Sequence, residues 1–244
     1  MIDEKEKPIH LRQFKIQDSF WNYYQNLILE KVIPYQEQIM KDEIPEIEKS
    51  HAIENFKIAA GLSEGEFYGQ VFQDSDLAKW MEALGNALSI SDSTYFKVKS
   101  EEMIGIIEKA QEEDGYLDTF FQIKEPEKKW ENLLECHELY CMGHMIEAAV
   151  SHFESTGSKR FLNVASKIAD CIDAHFGKEK HRGIPGHEEI ELALLRLYKA
   201  TNEERYKNLA KYFIDERGLD PNFFAEERKI RNWEHWPMDP EDRE

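Results

Sequence analysis

The chain has 244 residues, 41% of them apolar and 33% charged, with a formal net charge of −18. That length and balance fit a globular protein with a sizeable core, in one large domain or two small ones. An acid excess of this size repels phosphate backbones and anionic lipid, which argues against nucleic acid and membrane partners and leaves neutral or cationic ligands, sugars among them.

Three Cys without disulfide-framework spacing point to a reducing compartment. Met1 runs into IDEKEKPIH with neither a basic nor an apolar leader region, and no run of ~18 apolar residues occurs. The expected location is the cytoplasm, with no membrane span.

In chain order, residues 1–16 read as an extended lead-in. Asp18 or Ser19 caps a helix carrying Phe20, Trp21, Tyr24, Leu27, Ile28 and Val32 until Pro34 interrupts it. A second helix covers Ile47–Ala60 and ends at Gly61, before the Gly-rich loop GLSEGEFYG. Asp74 or Ser75 caps a helix with Leu77, Trp80, Met81, Leu84 and Leu88. Asp92 or Ser93 starts another, which runs to the turn EEDG. Residues 117–129 form a loop, and apolar residues at helical spacing predict a helix over Trp130–Val150. Further helices are expected over Ser158–Phe176, His187–Ala200 and Glu203–Arg217. No stretch shows strand alternation with hairpin turns, so the chain reads as all-α.

An internal repeat sets the expected architecture. A shift of 45 positions superposes Ala148 on Ala193, Thr156 on Thr201, Arg160 on Arg205, Asn163 on Asn208 and Asp170 on Asp215. A fainter copy, 65 positions upstream, pairs Glu82 with Glu147 and Phe96 with Phe161. Each unit is helix, turn, helix, and repeated helical hairpins build solenoids or close into toroids. The unequal periods favour an (α/α) toroid of the six-hairpin type. The first helix of each pair would line the inside and bring His137, His144 and His187 to a common pocket. Residues 1–244 are expected to form a single partial toroid, with hairpins over about 17–217 and an irregular tail over 218–244.

Several constellations could carry chemistry. His137, Cys141 and His144 stand at i, i+4 and i+7, one face of a helix. Their donors suit zinc, but a zinc-protease helix needs HExxH and position 141 is Cys, so no metal ligand is assigned in this chain. The loop GIPG delivers His187 and Glu188 to a helix N-terminus, where Glu188 serves either dipole complementation or the binding of hydroxyls. A glycosidase pair of carboxylates needs a separation of roughly 5–10 Å. Asp74, Asp76, Glu138, Glu188 and Glu191 are all candidates, too many to choose from by eye. No GxSxG, P-loop or GxGxxG at a strand–helix junction occurs. Trp21, Trp80, Tyr116 and Trp130 are of a kind to stack on sugar rings, although aromatic residues more often serve the core.

HELYCMGHMIEAAVSHFESTG together with GIPGHEEIELALLRLYKATNEERY resembles the β-L-arabinofuranosidase-type glycoside hydrolases. DSDLAKWMEALGNAL, DGYLDTFF and FWNYYQNLILEKVIPYQ are similar to the same family, and the likeness spans about 10–218. The resemblance implies an (α/α)-toroid catalytic domain followed by β-rich domains, with a zinc-bound Cys nucleophile and a Glu acid/base. Those groups lie in the second half of the family's toroid, so this chain is expected to be the N-terminal half, without the catalytic centre and with no cofactor of its own. On the same basis His137 and His187, and less directly Glu188 and His144, are carried over as sugar-contacting residues. Cys136 and Cys141 match neither the nucleophile nor the zinc ligands. The implied partners are an arabinofuranoside-like carbohydrate and a complementing C-terminal half or a second copy, because an open half-ring leaves apolar edges. The alternative from another class is a non-catalytic helical-repeat module that holds a protein or glycan.

Overall fold

The computed structural model describes residue 9 and residues 11–236. Among them the structure is all-α: no strand forms, and a single isolated bridge joins Phe176 to His181. The organising element is α7 (Glu138–Thr156), which buries residues around most of its circumference, from Leu139 and Met142 to Ala149 and His152. A helix apolar on nearly all sides has to be central. It lies between α4 (Asp74–Ile90) and α9 (Ile190–Thr201), and these three form the inner row. Each is followed by an antiparallel partner: α5 (Thr94–Ala110), α8 (Lys159–His175) and α10 (Glu204–Arg217). α8 shows the one-sided pattern of an outer helix, burying Phe161, Val164, Ala165, Ile168 and Ile172. The repeated sequence units are therefore the three hairpins α4/α5, α7/α8 and α9/α10. Two layers of paired helices are what part of an α/α toroid requires.

Glycine allows the inner row to pack closely. A Cβ on Gly85 of α4 would lie 2.9 Å from the backbone nitrogen of His152 on α7. A Cβ on Gly143 of α7 would lie 2.7 Å from Cγ of Glu189 and 3.1 Å from the backbone nitrogen of Ile190. Side-chain caps start two of the outer helices, α5 and α8: Ser93 and Ser158 accept from the backbone N–H of Phe96 and Arg160.

Several elements differ from the sequence expectation. The first helix does not stop at Pro34. α1 (Ser19–Leu27) passes through a π-helical turn, Ile28–Val32, into α2 (Ile33–Met40). The N–H of Ile33 reaches back to Ile28, so the wider turn absorbs the donor that Pro34 lacks. α3 (Ala52–Ala59) begins later than Ile47, because Asp42 accepts from the N–H of Ser50 and His51 and holds that stretch as a loop. Asp74 is no cap: its carboxylate takes both the N–H and the hydroxyl of Thr119, at the start of α6 (Thr119–Ile123). The helix expected from Trp130 begins only at Glu138, since Trp130 and His137 both adopt left-handed backbone, at φ 67° and 59°.

The tail expected to be irregular contains α11 (Phe223–Ile230), capped by Asn222 onto the N–H of Ala225. It docks back on the segment before α7. Glu227 accepts from the N–H of Leu133 and Leu134, and Arg231 pairs with Glu135 at 2.9 Å. Residues 1–8, 10 and 237–244, which carry the rest of the lead-in and tail expectations, lie outside the described residues. No described helix is long and apolar enough to cross a membrane.

Candidate functional site

Two left-handed or bent backbone positions bring the predicted histidines together. His137 stands at the N-cap of α7, and its carbonyl accepts the N–H of Cys141. Because His137 lies outside regular helix, it does not extend the stripe that Cys141 and His144 would continue. His187 stands on the bend before α9, which starts at Ile190 rather than His187. Gly186 is required there. Its N–H donates to the carbonyl of Leu133, and a Cβ would lie 2.2 Å from the carbonyl oxygen of Leu134. The loop thus lies directly against the segment that leads into His137, and the two imidazole centroids are 5.3 Å apart.

Tyr140 fills the angle between them, 5.6 Å from the ring of His137 and 5.2 Å from that of His187. Its hydroxyl accepts from Lys79 of α4 at 2.8 Å. Phe72 also packs on the His137 ring, at 5.3 Å. Nδ1 of His137 lies 2.6 Å from the carbonyl oxygen of Glu135. A carbonyl only accepts, so Nδ1 carries the proton and Nε2 is left as an acceptor. Burial lowers the His137 pKa, with His187 and Lys79 adding to the shift, and the ring is neutral near pH 7.

His144 lies deeper along α7, with its ring 4.5 Å from Tyr140 in an edge contact. Burial and then Lys79 lower its pKa to about 4. Its Nδ1 is 3.2 Å from Oε1 of Glu189, and neither atom makes a hydrogen bond. Glu147, one turn further along α7, completes a group of three whose ligand-type atoms lie within 4.8 Å of one another. Burial, then Glu147, push Glu189 up to about 8. Arg196 of α9 bridges Glu147 and Glu82 at 2.9 Å each.

Glu188 does not join the histidines. Its side chain is 65% exposed and pairs with Arg217 at 2.9 Å. The bend turns it outward, and the guanidinium at the end of α10 holds it there. The carboxylate that turns inward is the next one, Glu189. Nor does Glu188 cap α9, whose N-cap residue is Glu189 and makes no side-chain cap. Tyr140, Lys79, Glu147, Glu189 and Arg196 were all missed by sequence reasoning. Only the Glu82/Glu147 repeat match hinted at them, since both positions meet the same Arg196.

Cys136, Cys141 and Cys171 are all buried, and burial raises all three thiols, Cys171 to about 12. Among the described residues, the group of ligand-type side chains that converges, His144, Glu147 and Glu189, includes no Cys. The described residues do not fit the zinc–thiolate centre that the family resemblance implies.

Residues 13–240 match the family model described as the β-L-arabinofuranosidase GH127 catalytic domain. The chain is 44% identical over 235 residues to a non-reducing end β-L-arabinofuranosidase of Bifidobacterium longum subsp. longum, covering 89% of this chain and 36% of that one. Its fold is similar to the crystal structure of a GH127 β-L-arabinofuranosidase from Geobacillus stearothermophilus T6. The TM-score there is 0.86 at 49% identity, over 88% of this chain and 34% of that one. A second GH127 β-arabinofuranosidase structure aligns with a TM-score of 0.77 at 32% identity, over 86% of this chain and 34% of that one. The chain belongs to the GH127 β-L-arabinofuranosidase catalytic-domain family. It corresponds to an N-terminal portion and spans about a third of the length of these relatives.

Proposed function

We propose that this segment forms one wall of the sugar-binding pocket of a β-L-arabinofuranosidase-like glycoside hydrolase. His137 and His187 would contact hydroxyls of an arabinofuranoside, while Tyr140 and Lys79 hold the two rings in place. The observation that carries the reading is the paired imidazoles, 5.3 Å apart, with Nδ1 of His137 committed to a backbone carbonyl. A neutral imidazole with a free Nε2 accepts a hydrogen bond from a sugar hydroxyl without placing a charge in the pocket. Glu188, turned out to Arg217, has no part in this reading.

Bond cleavage would need groups from outside this segment. Its three thiols are buried with raised pKa values and cannot serve as nucleophiles. A complementing C-terminal part would supply them.

Saturation-transfer NMR with methyl β-L-arabinofuranoside at millimolar concentration tests the wall. Transfer to the sugar is expected in the purified chain and in a His181→Ala control, and should be lost in a His137→Ala, His187→Ala double variant that keeps its helical circular dichroism. Undiminished transfer in the double variant, or none in the unaltered chain, removes the pocket from this segment. Hydrolysis of an aryl arabinofuranoside by the purified chain, above background, would show that the segment is more than a wall.

A further inference from the structure

The wall accounts for His137 and His187 but leaves the deeper group unexplained. His144, Glu147 and Glu189 come from two elements, α7 and the loop leading to α9, and converge from both sides of one gap. Glu147 is 7% exposed, and the side chains of His144 and Glu189 are only 14% and 12% exposed. Nδ1 of His144 and Oε1 of Glu189 are shielded from solvent and face each other at 3.2 Å without a hydrogen bond. The separation is within hydrogen-bond reach, but the two atoms are not aligned for one. Two buried polar atoms left unpaired across one gap call for a partner that engages both, as a cation would.

We propose that His144, Glu147 and Glu189 bind one first-row divalent cation, with zinc the best match to the donors. Imidazole nitrogen and carboxylate oxygens bind zinc at ~2.0–2.2 Å, so two such ligands in a tetrahedral site stand ~3.3 Å apart. The His144–Glu189 separation of 3.2 Å matches that edge. Arg196 engages Oε1 of Glu147, so its guanidinium does not occupy Oε2. Gly143 fixes the geometry, since only a residue without Cβ lets Glu189 approach α7 so closely. The ion would tie the His187 loop to α7, in a structural role. This site is separate from the sugar wall, and its failure would leave that reading untouched.

The test uses the purified 244-residue chain, stripped with chelator and titrated with zinc chloride by calorimetry, with magnesium chloride as the oxygen-preferring control. About one zinc per chain is expected, with a rise in the melting temperature and no matching response to magnesium. Glu189→Gln and His144→Ala should each weaken binding at least tenfold, while Cys136→Ser and His181→Ala should not. Glu189→Gln nearly conserves volume, and circular dichroism checks that it folds. No zinc binding overturns the proposal. So does binding that survives Glu189→Gln, or that disappears instead in Cys136→Ser or His181→Ala.

Discussion

Glu138 is a carboxyl buried to 1% exposure, and burial pushes its pKa up to about 8 against the donors Tyr116 and Trp130. Asp118 is raised as well, by burial first and then by Asp74 and Glu138, and its Oδ2 is buried without a hydrogen bond. Asp74 is raised to about 6. A carboxyl raised in the folded state holds a proton that the unfolded chain has released. Its stabilisation is therefore complete below the unfolded pKa and is lost as pH rises through the folded value. Buried histidines act in the opposite sense: His137, His144, His152, His175 and His235 are all lowered, so their contribution is lost as pH falls below ~6.5. Above that point the histidines are silent and the raised carboxyls dominate, with the raised thiols acting in the same sense as pH nears 8.5. Urea midpoints should therefore fall between pH 7 and pH 8.5, and Glu138→Gln should flatten the fall by up to ~1.4 kcal/mol per pH unit, the limit for one group. An unchanged slope in that variant would mean that Glu138 is already ionised at pH 7.

Helices 4, 7 and 9 meet where glycine removes the side chain from the seam. Gly143→Ala and Gly85→Ala each drive a Cβ into neighbouring backbone, at 3.1 Å from Ile190 and 2.9 Å from His152. Neither neighbour is the free end of a flexible side chain, so each substitution should cost about 1–3 kcal/mol in chemical denaturation. Gly218, at φ −94° with nothing within 4 Å, is the control: alanine there should be neutral or stabilise by up to ~1 kcal/mol. Equal losses at all three positions would mean that the seam is not tightly packed. The seam also shows what the sequence could reveal. Its hairpins were legible, because matching residues recur at offsets of 45 and, more faintly, 65 positions. The start of α7 was not, because the positive φ values of Trp130 and His137 go with side-chain bonds that no apolar periodicity encodes: Glu138 accepts from the N–H of Trp130, and the Glu135 carbonyl meets the ring of His137. For the same reason His137 and His187 could be predicted to converge, but not the exchange of Glu188 for Glu189, which depends on Arg217 a helix away.

At the scale of the whole molecule, charge and one apolar face pull in opposite directions. α1 buries none of its residues, and Phe20, Trp21 and Tyr23 are 58%, 60% and 64% exposed. Phe20 packs on Trp21 and Tyr24, at 5.1 and 4.9 Å, so the rings form a patch rather than scattered contacts. A patch of this kind normally meets a partner, whether a complementing segment or a second copy. At pH 7 the net charge of −18 keeps copies apart, but the isoelectric point is about 5.0. Lowering the pH towards that value removes the repulsion, and salt near 0.15 M screens it beyond ~8 Å, while neither weakens apolar contact. Sedimentation velocity should therefore show a monomer at pH 8 in low salt and larger species at pH 5.5 or in high salt. A Phe20→Ser, Trp21→Ser, Tyr24→Ser variant should remain monomeric in all three conditions, since its charge is unchanged and only the patch is gone. If the variant associates as readily as the unaltered chain, loss of charge alone drives the assembly and the α1 face has no part in it.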